Sequence, residues 1–299
     1  RRSVDSIMRE IKEILALPDN RTNYIYFFDE NFNLDLEWLD EFCLKYKAEI
    51  GLPFQVSYNP HRLGHVVVDK LVEAGLDSLR FGFQTGSDAV RRQVYNRPGK
   101  NAEIIDFTNK VARHKIVMRH DLILDNPYET EEDLKETIDL LLQLPKESAV
   151  DVYSLRYYPN YPITKRAIED KIIPPLEEMD DRAIEGTSTD VGYVPRFFPR
   201  TRKQTLQNII WLITGNHVKG PLVRYGVFGA SWGSSLCLHY MNVKALLLGK
   251  IVGDGGIASR HPFIMYCVKG IGCLSKGDWK GFRVRVERRL GLKRIYYHQ

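Results

Sequence analysis

Side chains able to do chemistry recur in this sequence in five short polar clusters. They are Asp29, Glu30 and Asn31; Ser57, Tyr58 and Asn59; Gln84, Gly86 and Ser87; Asp125, Asn126 and Glu129; and Arg156, Tyr157 and Tyr158. Carboxylates, amides and hydroxyls of this kind can hydrogen-bond a polar ligand such as a ribose or an amino-acid head group. Asp29 and Glu129 are also of the type that serves as general acid or base. Gly86-Ser87 adds a backbone argument. Glycine at the start of a helix lets N–H groups approach an anionic group, and serine adds a hydroxyl. The same residue types dominate turns and helix caps. The case for a site therefore lies in their common position, because each cluster follows directly on an apolar, β-compatible stretch.

The elements that must hold these clusters are legible from periodicity. Residues 4–17 carry Ile7, Ile11, Ile14 and Leu15 on one helix face. Strands are expected over 24–28 (YIYFF), 54–57, 78–83, 116–124 and 150–155, with helices over about 35–48, up to Gly75, after Ser87, over 102–114, after Thr130 and over 163–171. Thr130 and Asp133 form an approximate capping box, and Leu134, Ile138, Leu141 and Leu142 make one apolar face behind them. A strand–helix alternation at roughly 25–35 residues per unit implies a parallel sheet or barrel. The carboxyl ends of its strands then converge on one rim.

Composition narrows the class. The chain has 299 residues, 43% hydrophobic, with a formal charge of +5, which excludes a disordered chain. Cys43, Cys237, Cys267 and Cys273 show no CxxC spacing, and so few cysteines suit a reducing, cytoplasmic setting. His61, His65, His114 and His120 fit no metal-binding helix spacing and are expected to be surface or packing residues. The chain begins Arg-Arg, with no signal peptide, and is expected to be a piece of a longer polypeptide.

In this order and spacing the stretches RSVDSIMREI, YFFDENFNLD, EAGLDSLRFGFQTGSDAVRRQVYNRP, DLILDNPYETEEDLKETIDLL and LRYYPNYPIT resemble the radical S-adenosylmethionine (radical SAM) enzymes. The likeness is strongest to the subgroup linked to a cobalamin-binding domain. The resemblance implies an α/β fold, a partial (β/α)6 TIM-like barrel, here with its first strand missing, over residues 1–175, and a mostly helical extension over 176–299 that ends in a basic tail. It implies S-adenosylmethionine and a [4Fe-4S] cluster as cofactors. The CxxxCxxC ligands of that cluster are expected upstream of this fragment, which alone is then expected to be inactive. Cobalamin held by an upstream domain is an option that the resemblance leaves open.

The resemblance also implies roles. Asp29 and Glu30 meet the methionine amino group, and Gln84, Gly86 and Ser87 lie near the ribose and carboxylate. Arg97 pairs with that carboxylate, or is a solvated helix-end charge. Ser57 lines the pocket, and Leu122, Asp125 and Asn126 run along the adenine. Gln84 stands where glutamate is usual and Asp125 where glycine is common. Tyr153 and Tyr157 are pocket or core aromatics. The implied reaction is methyl transfer, or a related modification of an unactivated carbon, on a small molecule or peptide. A reductant protein such as ferredoxin or flavodoxin would supply the electron.

Past Pro174-Pro175 the pattern changes. A helix is expected over 203–214 and a buried or interfacial helix over 225–243, a stretch free of Lys, Arg, Asp and Glu. From Lys276 the tail is basic, with Trp279, Phe282 and Leu290 between its charges. It could lie on an anionic membrane, giving a membrane-peripheral location, or be plain solvated surface. No nucleic-acid-reading motif is present. The alternative function is a cluster-less, non-catalytic barrel that binds a membrane or partner, and a third is a carboxylate-using barrel enzyme.

Overall fold

The computed structural model describes residues 2–29, 32, 35–58, 64–176, 192, 193, 195 and 199–252. Within it the alternation expected from periodicity is present. In chain order the elements are α1 Val4–Leu15, β1 Ile25–Tyr26, α2 Leu36–Glu49, β2 Phe54–Ser57, α3 Gly64–Ala74, β3 Leu76–Gln84, α4 Asp88–Gln93, α5 Asn101–Ala112, β4 Val117–Leu124, α6 Glu131–Gln143, β5 Ser148–Ser154 and α7 Pro162–Glu169. After them come α8 Arg202–Thr214, α9 Gly220–Phe228 and α10 Trp232–Val252. The five strands lie in the order β1-β2-β3-β4-β5, every neighbouring pair parallel. All carboxyl ends therefore point the same way, as the polar clusters require. The sheet is an open α/β partial barrel.

Local chemistry sets the boundaries. Thr130 and Asp133 do form a reciprocal capping box: the Asp133 N–H donates to Thr130 Oγ1, and the Thr130 N–H donates to Asp133 Oδ2 at 2.7 Å. Ser3, Asp35 and Ser87 cap α1, α2 and α4 with one bond each, the side chain accepting from a backbone N–H three residues on. The strand expected over 24–28 shortens to Ile25–Tyr26, although the Phe27 N–H still bonds the Gln55 carbonyl at 3.0 Å. The stretch 225–243 was expected as one helix, and the structure breaks it. Gly229 packs so closely that a Cβ there would lie 2.3 Å from the Tyr225 carbonyl, and Ser231 then caps a new helix by accepting from the Ser234 N–H.

One face of the sheet is apolar and covered. Val56, Leu79, Phe81, Phe83, Met118, Leu122 and Leu124 are buried there. Near β1 and β2 an edge-to-face aromatic cluster, Phe27, Phe32, Phe42 and Phe54, seats α2. The C-terminal helices continue this layer, with α8 packed on α6 and β5, and α10 on α8 and α9. A buried polar chain ties them to the sheet. The Tyr193 N–H bonds the Val152 carbonyl at the outer edge of β5, the Tyr193 hydroxyl donates to Asn208 Oδ1 at 2.9 Å, and the Asn208 amide donates to Asn242 Oδ1 at 2.8 Å.

Candidate functional site at the strand ends

The carboxyl end of β3 is irregular by construction. Its register against β4 shifts between Gly82 and Gln84, and Gln84 takes φ +62°. The Gln84 amide folds back over Gly82, where a Cβ would sit 2.4 Å from its Oε1. That oxygen is buried with no hydrogen-bond partner among the described residues.

The loop beyond is built from internal contacts. The Thr85 hydroxyl donates to Glu129 Oε1 at 2.7 Å, the Gly86 N–H to Thr137 Oγ1 at 2.8 Å and the Ser87 hydroxyl to Asp133 Oδ1 at 2.6 Å. Gly86 is thus glycine because α6 passes over it: a Cβ would lie 2.2 Å from Thr137 Cα. Gly86→Ala is expected to cost about 1–3 kcal/mol by overpacking, read as a lower urea midpoint. An unchanged midpoint would refute that packing argument.

Arg91 holds the loop from behind. It is 1% exposed and satisfies the carbonyls of Phe83, Thr85 and Gly99, together with Asp88 and Asn101. Arg97 is exposed and donates to the Gly82 carbonyl at 3.2 Å.

At the end of β4, Asp125 takes φ +61°. Asn126 is buried, donates to the Tyr95 hydroxyl at 3.2 Å and accepts from the Tyr128 N–H. Glu129 is 3% exposed, and its Oε2 has no partner among the described residues. Burial pushes its carboxyl up to about 7, with the Thr85 hydrogen bond opposing and the Asp133 charge adding to the rise.

Of the other expected residues, Asp29 is exposed beside β1, where a groove of about 560 Å³ runs between α1 and β1, lined by Ile7, Ile11, Tyr24 and Phe28 among others. Ser57 closes β2, and its carbonyl accepts from the Phe32 N–H at 2.8 Å. Glu30 and Asn59 lie outside the described residues. Leu122 is fully buried on the covered face with Met118 and Leu124, so its side chain belongs to the core. The structure gathers Gln84, Gly86, Ser87 and Arg97 at one strand end, and Asp125 and Asn126 at the next. Gly86, Ser87 and Asn126 already spend their described hydrogen bonds on protein groups.

Sequence reasoning offered Tyr153 as a pocket or core aromatic and missed the charged residues beside it on the other face of the sheet. There Arg80 donates to both oxygens of Asp121, at 2.6 Å for the shortest contact, and to the Tyr153 hydroxyl at 2.8 Å. Arg119 forms a fork onto Asp151 at 2.9 and 3.0 Å. This ladder crosses β3, β4 and β5, contains two Arg and two Asp, and keeps 21–30% of each side chain exposed. The Tyr153 hydroxyl accepts from Arg80 and keeps a proton that it can donate. A signal existed: Arg119 and Asp121 alternate with Met118, His120 and Leu122, and a strand apolar on both faces would not alternate so.

The cofactors implied by the resemblance can be tested against these residues. Cys43 lies on α2 with its thiol pushed up to about 11 by burial, Cys237 lies on α10, and no group of His, Cys, Asp and Glu that could hold a metal exists among the described residues. They do not fit an iron–sulfur cluster. Cys267 and Cys273 lie outside the described residues. The end of β3 offers an acceptor of the kind an adenosyl ligand needs, because the Gln84 oxygen has no partner among the described residues and an amide oxygen can accept from a sugar hydroxyl.

Comparison with known proteins finds likenesses in sequence and fold. A sequence model of the Radical SAM superfamily matches residues 1–141. A tRNA-2-methylthio-N(6)-dimethylallyladenosine synthase from Anaplasma marginale (strain St. Maries) is 28% identical over 171 residues, which are 53% of this chain and 36% of that protein. The solved structure of the cobalamin-dependent S-adenosylmethionine radical enzyme OxsB, with aqua-cobalamin bound, superposes with a TM-score of 0.52 at 16% identity, over 99% of this chain and 52% of its own. The chain thus spans well under two thirds of either protein, and the likeness to OxsB concerns the fold alone. Residues 1–141, which include the parallel strands β1 to β4, are thus similar in sequence to the radical SAM superfamily.

Proposed function

We propose that this chain forms the S-adenosylmethionine-binding part of a radical SAM enzyme that modifies an unactivated carbon of a small molecule or peptide. The observation that carries it is Gln84, at the carboxyl end of one of five parallel strands, whose buried amide oxygen has no described partner and which lies inside a segment matched by the family model. When bound together with a [4Fe-4S] cluster, S-adenosylmethionine supplies radical chemistry in this family. The residues of this chain bind and orient. Gln84 accepts from a ribose hydroxyl, Arg97 pairs with the methionyl carboxylate, and Asp29 and Ser57 bound the same rim. Asp125 and Asn126 border it at β4.

The ladder of Arg80, Asp121, Arg119, Asp151 and Tyr153 faces the substrate side. Its fixed charges suit a polar substrate, because they are held in place before binding. Methyl transfer with cobalamin on a separate domain is the reaction variant in keeping with the sequence resemblance, and a small electron-transfer protein is the reductant.

The test uses the full polypeptide, reconstituted anaerobically with iron and sulfide. Expected results are iron–sulfur absorbance and reductive cleavage of S-adenosylmethionine to 5′-deoxyadenosine or a methyl-transfer product. Gln84→Ala and Arg97→Ala are each expected to raise the KM for S-adenosylmethionine about tenfold, as loss of one hydrogen bond or charge-assisted contact does. Iron-loaded protein that never consumes S-adenosylmethionine would overturn the reading.

A further inference from the structure

The modest net charge hides a division. Residues 1–190 carry 25 Lys and Arg against 35 Asp and Glu, whereas residues 191–299 carry 18 against 3. Between residues 191 and 253 there is no Asp or Glu at all. Two cations of this stretch, Arg202 and Arg224, are paired with Glu131 and Asp139 of α6 and so dock the C-terminal helices on the barrel. On α10 the only charged residues are Lys244 and Lys250.

The outer face of α10 is apolar. Trp232, Leu236, Tyr240, Val243 and Leu247 are 80%, 50%, 53%, 39% and 56% exposed. At 100° per residue they fall within an arc of about 80°. The opposite face, with Ser234, Met241, Asn242 and Ala245, is buried against α8 and α9. Tyr225 of α9, 49% exposed, bonds Ser231 at 2.9 Å and extends the stripe at its Trp232 end. No helix among the described residues is long and apolar enough to cross a membrane.

We infer that this stripe is a docking face for an anionic lipid surface, on which α10 lies in the plane of the interface. An exposed aliphatic row with Trp and Tyr along it buries apolar area in the acyl boundary, and the absence of carboxylates removes repulsion from anionic head groups. The basic residues after 253 add long-range attraction to the same phase. Charge argues against the other occupants. A second copy docked through the stripe would bring like-charged segments together, and the phosphates of a nucleic acid offer nothing to Leu236, Val243 and Leu247. The inference is independent of the proposed reaction.

The experiment is sedimentation of the full chain with phosphatidylcholine vesicles, with and without phosphatidylglycerol. Binding is expected only with phosphatidylglycerol, and brominated lipid is expected to quench a fluorescence component that Trp232→Phe lacks. The double variant Leu236→Glu/Leu247→Glu, both positions being exposed, is expected to keep the wild-type circular dichroism and to lose binding about tenfold. Four results would overturn the inference: no vesicle binding, equal binding to both lipids, wild-type binding by the double variant, or self-association or RNA binding that the double variant abolishes while lipid binding is absent throughout.

Discussion

Replacing Arg91 by alanine is expected to remove about 3–5 kcal/mol of stability, the cost of breaking a buried charged network by taking away one partner. The guanidinium makes hydrogen bonds to five acceptors, including three backbone carbonyls on β3, the following loop and the residue before Lys100. Asp88 would be left without its ion-pair partner, and the Phe83 and Thr85 carbonyls would lose their described donor. Lysine is expected to rescue little, because one ammonium cannot reproduce a planar fork. The effect is also expected to reach function. The loop that Arg91 holds begins at Gln84, so in whatever fraction stays folded the KM for S-adenosylmethionine should rise without loss of iron. Urea denaturation of the two variants checks this, and an Arg91→Ala protein within about 1 kcal/mol of wild type would sink it.

The second large effect is a dependence on acid. His120 lies fully buried between Phe81 and Phe83, 4.4 Å from the first ring centroid. Neither ring nitrogen has a well-formed hydrogen bond among the described residues, and the nearby Phe81 backbone opposes the larger effect of burial. Burial pushes the imidazole down to about 3 from its ordinary 6.5. Between those values the unfolded chain binds a proton that the folded chain refuses. This contribution to stability is therefore complete above pH 6.5 and is lost progressively as the pH falls toward 3. About 2 kcal/mol should disappear between pH 7 and pH 5.

Glu129 acts with the opposite sign, because its raised carboxyl favours the folded state below pH 4.5 and loses that advantage as the pH rises through about 7. The His120 share is isolated by comparing wild type with His120→Phe, which is expected to lack the steeper acid loss. Parallel pH profiles for the two proteins would show that the histidine is not the cause.

Much of the fold was legible before the coordinates. Hydrophobic periodicity placed the helices behind Thr130 and over 203–214, and the alternation of strands and helices required a parallel arrangement, since a parallel connection needs a crossover. The capping box at Thr130 could be read because it is a contact over three residues. The polar clusters, too, were visible as residues following strands. Their convergence is a consequence of parallel order, which sequence pattern carries.

What only the tertiary structure decided depends on contacts between residues distant along the chain. Gly86 looked like an opening for an anion, yet the approach of Thr137, 51 residues on, is what demands glycine there. Alternation puts Leu122 on one face with Met118 and Leu124, but only the packing shows that this face is the covered one. Arg80, Asp121 and Tyr153 meet across three strands, over separations of 41 and 73 residues. Periodicity reports which residues share a side of one element. The sheet's register and the helices laid over it decide which residues of different elements touch.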